Sequence, residues 1–223
     1  MSPSASGSSC QATVGVRAAR PTRFGHIDAS VLKLLDGTKA YIHAVIDNFS
    51  RKILAWTIGA RLDPIATCRV LVEAGQHLAR ADPRPAITVM ADSGVENVNA
   101  AVDSTLLAEG LHRVLAQVEV TESNSMIEAW WRSLKHHWLF LNSLDILERV
   151  RTLVAFFVVE HNTKMPHTAF RGLTPDEAFF GTAPNLSAEL DAARAKASEL
   201  RVAANRSVSC NRCAPTAETE IPP

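Results

Sequence analysis

The sequence has neither a long apolar segment nor an excess of charge of either sign. Its longest uninterrupted apolar run, residues 153–159, has seven residues, whereas a helix needs about 20 to cross a bilayer. The first ten residues are small and polar, without the apolar stretch of a secretory signal. These absences predict a cytoplasmic protein that makes no contact with a membrane.

Cysteine is also scarce, with four residues in 223. Cys10 and Cys68 stand alone, which is typical of thiols in a reducing compartment. Cys210 and Cys213 form a single C-x-x-C with no second pair and no nearby histidine. Because a structural zinc site usually has four ligands, this pair alone does not indicate one.

The 23 basic and 23 acidic residues cancel, and nucleic-acid-binding domains usually show a basic surplus. Any function on nucleic acid must therefore rest on particular residues. The composition, 47% hydrophobic and 21% charged, is that of a globular protein. We expect a flexible segment over residues 1–22, a catalytic core over 23–182, and a C-terminal helix and loose tail over 183–223.

The pattern of apolar residues predicts an α/β fold. Three segments rich in β-branched residues, 24–35, 40–48 and 52–60, are separated by turn signals and indicate antiparallel strands. Further along the chain, we expect a helix from Pro64, strands at 86–91 and 113–120, and a helix at 98–109 between them. This order predicts an RNase H-like fold: a five-stranded mixed sheet, three antiparallel strands then two parallel, flanked by helices.

Residues 125–141 give the strongest helical pattern. Apolar residues recur there at steps of four, three, four and three, and so form one stripe: Ile127, Trp131, Leu134, Trp138 and Leu141. Helices are also predicted over 147–161 and 187–205, and a capping box at Thr174 and Glu177 predicts a short helix between them.

Three carboxylates fall where these elements could meet. Asp28 is in the middle of the first strand, Asp92 ends the fourth, and Glu128 is in the first turn of the helix over 125–141. If strands one and four pair, their backbones lie about 4.8 Å apart. Carboxylate oxygens are the ligands that Mg²⁺ prefers, and two such ions can catalyse phosphoryl transfer. The three residues are therefore candidate catalytic metal ligands.

Structural roles for the same residues stay open. Glu128 also fits a capping box with Ser125, and Asp92 before Ser93-Gly94 also fits a turn. Arg132 and Lys135 share a helix face with Glu128, at i+4 and i+7. That face could hold metal at one end and DNA phosphate along the helix, or it could be a solvated face with a Glu–Arg pair.

The spacing and the flanking words resemble those of a known family. Asp92 and Glu128 have 35 residues between them, and Lys135 follows the glutamate by seven. The flanking words span roughly residues 24–182: His26-Ile27-Asp28, Asp47-Asn48-Phe49-Ser50-Arg51, Ala91-Asp92-Ser93-Gly94, Ser123-Asn124-Ser125-Met126-Ile127-Glu128, His161-Asn162 with Pro166-His167, and Leu173-Thr174-Pro175. Together they resemble insertion-sequence transposases with a retroviral-integrase-type catalytic core.

The resemblance implies an enzyme that cleaves DNA at the ends of a mobile element and transfers the freed 3′-hydroxyl to target DNA. It implies two Mg²⁺ or Mn²⁺ ions bound by Asp28, Asp92 and Glu128. It also implies DNA contacts from Arg132 and Lys135, with Asn124 close by, and a homo-oligomer assembled on DNA. The protein would then associate with the bacterial nucleoid when bound to DNA.

The chain also departs from the family pattern. Relatives usually carry a helix-turn-helix region before the core, but only about 23 residues precede the first strand here, so a separate helix-turn-helix protein is a possible partner. Gly25 stands where an aromatic residue is expected, and Glu122 where an apolar one is expected. Two alternatives therefore stay open: a catalytically impaired transposase acting as a relic or regulator, and an RNase H-like nuclease.

Overall fold

A computed structural model describes residues 18–78, 87–116, 125–182 and 185–207. The strands are β1 (Phe24–Lys33), β2 (Lys39–Asp47), β3 (Ile53–Gly59), β4 (Ile87–Ala91) and β5 (Leu111–Leu115). The helices are α1 (Pro64–Leu78), α2 (Ala100–Glu109), α3 (Ser125–His137), α4 (Leu147–Thr163), α5 (Pro175–Phe180) and α6 (Leu186–Ser207). Helix α5 begins with the predicted capping box at Thr174 and Glu177.

The five strands form one sheet in the order β3-β2-β1-β4-β5. Strand β2 pairs antiparallel with β1 and β3, whereas β4 pairs parallel with β1 and β5. The predicted mixed sheet, three antiparallel strands followed by two parallel ones, is confirmed. It places β1 at the centre, between the antiparallel and the parallel parts.

Side chains alternate along the strands and build a core on each face of the sheet. On one face, alternate residues of β2 such as Ile42 and Ile46 pack against α3 and α4. On the other face, Ile27, Val89 and Ala91 pack against α1 and α2. The protein is thus a three-layer α/β/α sandwich, the arrangement that buries a sheet whose two faces are both apolar.

The predicted end of the strongest helix is wrong. Helix α3 ends at His137 rather than at 141, and residues Leu139–Leu141 form a 3₁₀ turn. The backbone leaves the helical conformation at Trp138, whose φ is −139°, and the indole N–H of Trp138 donates to the carbonyl of Leu153 in α4 at 2.9 Å. Leu141, the last residue of the predicted stripe, is consequently 75% exposed.

The predicted start of the fifth strand, residue 113, is also wrong. β5 begins at Leu111, directly after Gly110, which ends α2 with a positive φ of 66° that glycine adopts without strain. Leu111 is buried beside its β4 partner Ile87. The predicted end of this strand, residues 117–120, lies outside the described part of the chain. Within that part, no helix is long and apolar enough to cross a membrane.

Candidate metal and nucleic-acid site

Asp28 lies in the middle of β1, on the sheet face that packs against α3. Its neighbour Ile27 belongs to the opposite core, so strand alternation directs the Asp28 side chain toward α3. One carboxylate oxygen, Oδ1, accepts from the backbone N–H of Ala29 at 2.8 Å. The other, Oδ2, accepts from the indole Nε1–H of Trp131 at 2.9 Å.

Asp92 directly follows β4, beside the central strand. In the parallel register His26 pairs with Met90, so continuing it by two residues sets Asp28 level with Asp92. The turn interpretation of Asp92 is also borne out in part. Its Oδ1 accepts from the backbone N–H of Gly94 at 3.1 Å and from the side-chain amide of Asn97 at 2.5 Å.

Glu128 lies in the first turn of α3, where its side chain is exposed. Both Glu128 and Asp92 are close enough to Asp28 to interact with its charge. One charged group from β1, one from the end of β4 and one from α3 therefore face a shared region, which we call the carboxylate edge.

The pKa of the Asp28 carboxyl is affected by the two neighbouring carboxylates. Burial raises its pKa from 3.8 to about 6, against the lowering effect of the Ala29 and Trp131 hydrogen bonds, and the charges of Asp92 and Glu128 raise it further. Asp28 is half-buried beside two like charges, and among the described residues Lys135 of α3 is a cation whose charge interacts with it. This oxygen-only set of negative donors fits a hard divalent cation.

The three carboxylates do not yet converge on one point. Among the residues that the structure describes, no group of three His, Cys, Asp or Glu side chains is placed to hold a metal ion. Glu128 is exposed on the helix surface. The aspartates are held more firmly, because each accepts hydrogen bonds from its surroundings.

The predicted DNA-contacting residues have different surroundings. Arg132 is exposed on α3. Lys135 is half-buried, donates from Nζ to the carbonyl of Val31 at 3.2 Å, and has a pKa lowered by burial. Asn124 lies outside the described residues. The two basic residues thus follow Glu128 along the face of α3 that borders β1.

Two polar side chains of this edge are not apparent from the sequence pattern. Trp131 is part of the predicted apolar stripe and is only 5% exposed, yet its N–H is directed at Asp28. Asn97 is only 2% exposed, and its side-chain amide donates to Asp92. The backbone carbonyl of Asn97 accepts from Arg113 at 2.7 Å. Periodicity predicts that such side chains are buried, but not which polar atom they present.

The other matching words of the sequence gather in a second region. Asp47, the last residue of β2, accepts three hydrogen bonds at 2.7–2.9 Å. Its Oδ1 accepts from the N–H of Thr22, and its Oδ2 accepts from the N–H and the hydroxyl of Ser50. On α4, His161 contacts the carbonyl of Arg51, and the Asn162 amide bonds both backbone groups of Ile53 at 2.9 and 3.0 Å. We call this region the turn network; it ties the β2–β3 turn to α4.

A comparison with family models finds no match. Among curated proteins, the transposase of insertion sequence element IS904 from Lactococcus lactis is 23% identical over 164 residues, which is 72% of this chain and 62% of that protein. The protein of insertion element IS136 from Agrobacterium fabrum is 27% identical over 136 residues, 59% of this chain and 69% of its own. The chain therefore spans about six-tenths of the length of the transposase that it resembles.

Solved structures share the fold at low identity. The simian T-cell lymphotropic virus intasome aligns with a TM-score of 0.61 at 15% identity, covering 74% of this chain and 57% of that one. The catalytic core of HTLV-2 integrase, solved with magnesium, gives 0.57 at 13% identity over 73% of this chain and 99% of that one. The catalytic domain of the Mos1 mariner transposase gives 0.52 at 14% identity, over 62% of this chain and 70% of its own.

The likeness to curated proteins and the likeness to solved folds lead to one assignment. This chain has the RNase H-like fold of integrase and mariner transposase catalytic cores, and in sequence it is similar to insertion-sequence transposases.

Proposed function

We propose that this chain is the catalytic core of a DNA transposase, which cleaves at the ends of a mobile element and joins the freed 3′-hydroxyl to target DNA. The observation that carries the proposal is the carboxylate edge. Asp28 interacts electrostatically with both Asp92 and Glu128, and the three residues come from three separate elements of an integrase-type fold.

In this proposal Asp28, Asp92 and Glu128 bind two divalent cations, Mg²⁺ or Mn²⁺. Bound there, the cations would supply charge stabilisation for the attacking and leaving oxygens of phosphoryl transfer. A neighbour in fold, the HTLV-2 integrase core, was solved with magnesium. The donor chemistry of the three carboxylates supports the same choice of a hard cation here.

The protein's own groups would bind and orient the DNA. Arg132, exposed on α3, and Lys135, beside Asp28, would contact phosphates, as would Asn124, which precedes Ser125 in the sequence. The zero net charge gives little long-range attraction for DNA. We therefore propose that affinity is supplemented by assembly of several copies on DNA, or by a separate helix-turn-helix protein.

The test is a joining reaction that does not require the element ends to be known. Purified protein is incubated with Mn²⁺, fluorescent duplexes with random terminal sequences, and a supercoiled plasmid, and any junctions are sequenced. We expect junctions with the parent, and none with EDTA, Asp92→Asn or Glu128→Gln.

The matched control is Asp145→Asn, which removes one exposed carboxylate. Asp145 follows Leu144, whose carbonyl accepts from the N–H of Leu35 at 3.0 Å, beyond the end of β1 at Lys33. Asp28 is in the middle of that strand, which rises about 3.3 Å per residue, so the two carboxylates lie apart. This variant should join DNA as the parent does. Plasmid nicking without junctions would indicate a nuclease instead, and full activity in Asp92→Asn would contradict the site.

A further inference from the structure

One polar contact joins helix α3 to strand β1 inside the carboxylate edge. The indole Nε1–H of Trp131 donates to Asp28 Oδ2 at 2.9 Å, from a side chain that is 5% exposed. Trp131 follows Glu128 by three residues, so both lie on neighbouring parts of one helix face. A single side chain thus connects the helix that carries one predicted ligand with the carboxylate of another.

The contact fixes the rotation of the Asp28 carboxylate without neutralising its charge. Ala29 N–H holds Oδ1 and Trp131 holds Oδ2. Each carboxylate oxygen has two lone pairs, so one on each oxygen stays available. Both donors are neutral, unlike an arginine or lysine in the same position, so the carboxylate keeps its full negative charge for a ligand.

The indole itself is held by its neighbours. Its ring lies 4.6 Å from that of Trp130, with an angle of 56° between the ring planes, and Trp130 in turn contacts Phe157 of α4. One turn later on α3, Lys135 makes a second contact to β1 through the carbonyl of Val31. An aromatic ring at position 130 therefore restricts the direction of the Trp131 N–H, as positioning of another group requires, and a phenylalanine at 130 would still supply such a ring.

We propose that Trp131 is a positioning residue for Asp28: its N–H holds the carboxylate in the orientation that binds the divalent cation with Asp92 and Glu128. The inference rests on the proposed function, because Asp28 is a metal ligand only there. Hydrogen-bonded partners of metal ligands typically contribute about 10- to 100-fold to metal affinity.

The adjacent tryptophan provides a matched control. Trp130 is 4% exposed, and its Nε1 is buried without a hydrogen-bond partner in the described part of the chain. Trp130→Phe and Trp131→Phe therefore remove the same atoms from the same helix, but only the second removes a hydrogen bond to a carboxylate. A general loosening of the core would affect both variants alike.

The experiment combines Mn²⁺ calorimetry with nuclear magnetic resonance of the indole N–H groups. We expect Trp131→Phe to weaken Mn²⁺ binding by about 10- to 100-fold and Trp130→Phe to leave it within about threefold. In ¹⁵N-labelled protein without metal, the Trp131 indole signal of Asp28→Asn should be shifted from that of the parent. Titration of the parent with MgCl₂ should shift the same signal until the site is saturated. The signal is assigned from its loss in Trp131→Phe, among the four tryptophans.

Failures of the two proposals are distinguishable. If the parent and Trp131→Phe bind Mn²⁺ equally well, the positioning role is overturned while the metal site stands. The same holds if the parent binds Mn²⁺ but the Trp131 signal does not shift in Asp28→Asn. If the folded parent binds no metal, the proposed function fails and takes the positioning role with it. Should Trp131→Phe unfold, 3-benzothienylalanine at position 131 replaces the N–H by sulfur at nearly constant shape, and the same tenfold or larger loss is expected.

Discussion

Asp47 and Asp28 lie on neighbouring strands, and the protein surrounds them in opposite ways. Asp47, in the turn network, is 1% exposed, accepts three hydrogen bonds and has the positive charge of Arg51 nearby. Asp28, in the carboxylate edge, accepts two hydrogen bonds and faces the negative charges of Asp92 and Glu128. Burial raises the pKa of both carboxyls.

The comparison separates two uses of a buried carboxylate. Where donors and a cation of the protein surround the group, as at Asp47, its binding capacity is used for architecture. At Asp28 the like charges of Asp92 and Glu128 face the group and Lys135 interacts with it from α3, and we propose that its remaining capacity binds an external cation. Both residues belong to words that resemble family text, so the sequence alone does not tell the two uses apart.

The largest expected effect comes from Asp47→Ala. Three donors would lose their acceptor inside the protein, and each buried unsatisfied group costs about 1–3 kcal/mol. We expect the free energy of unfolding to fall by at least about 4 kcal/mol in urea denaturation. Asp92→Ala, from the other region, leaves fewer donors without an acceptor, the Gly94 N–H and the buried Asn97 amide, and should cost about 2 kcal/mol. Equal stability of the two variants would end the distinction between the regions.

The basic residues of the two regions should also differ in how much they contribute to the free energy of unfolding. Lys52, 7% exposed, pairs with Asp176 at the start of α5 and lies 5.2 Å from the ring centre of Phe180. Truncation by Lys52→Ala leaves Asp176 without its partner, and we expect a loss of about 2 kcal/mol in the free energy of unfolding. A thermal melt that matches the parent would show that α5 is not anchored through this pair.

The pH dependence of stability should reveal the raised pKa of Asp28 when no metal is present. Because its folded-state pKa is about 6 against an ordinary 3.8, the folded protein binds this proton more tightly than the unfolded chain does. Unfolding then releases a proton between about pH 4 and pH 6, so stability falls as the pH rises through that window. The difference in unfolding free energy between parent and Asp28→Asn should change across it by on the order of 2 kcal/mol.

The difference between the two proteins is measured, not the parent's slope alone. Burial lowers the pKa of His43 and His161, so these groups destabilise the fold as the pH falls and oppose the effect of Asp28. Subtracting the variant removes them. Urea melts in EDTA from pH 4 to pH 8 provide the data, and a constant difference over that range would contradict the buried charge.

The smallest effect is expected at the exposed cation of the carboxylate edge. Arg132→Ala should reduce affinity for a duplex about threefold and lower the slope of log affinity against log salt by about one, the value for one lost phosphate contact. Stability should not change, because the side chain is exposed. Fluorescence anisotropy over a salt series measures the slope, and an unchanged slope would remove Arg132 from the DNA surface.

The sheet could be predicted from the sequence because each strand carries a local, periodic signal. Apolar residues and turn signals predict five strands, and the structure pairs β1 with β4 as far as His26 and Met90. The end of α3 could not be predicted, since Trp138 keeps the apolar period but bonds to α4 across the core.

The donors to the two aspartates were missed for a related reason. A period of 3.6 residues predicts that Trp131 is buried, whereas the direction of its N–H depends on how α3 crosses β1. Asn97 looks like a turn residue after Asp92, and only the fold shows its amide bonded to that carboxylate. Hydrogen bonds between distant elements are properties of packing that no pattern within one element contains.

The central claim is that the carboxylate edge is a divalent cation site. Its most direct test is calorimetric titration of Mn²⁺, up to millimolar metal, into the parent, Asp92→Asn and Asp145→Asn, with and without a short duplex. We predict binding by the parent and by Asp145→Asn, and a loss of at least about tenfold in Asp92→Asn. Equal binding by Asp92→Asn, or no binding by the folded parent even with duplex present, would contradict the claim.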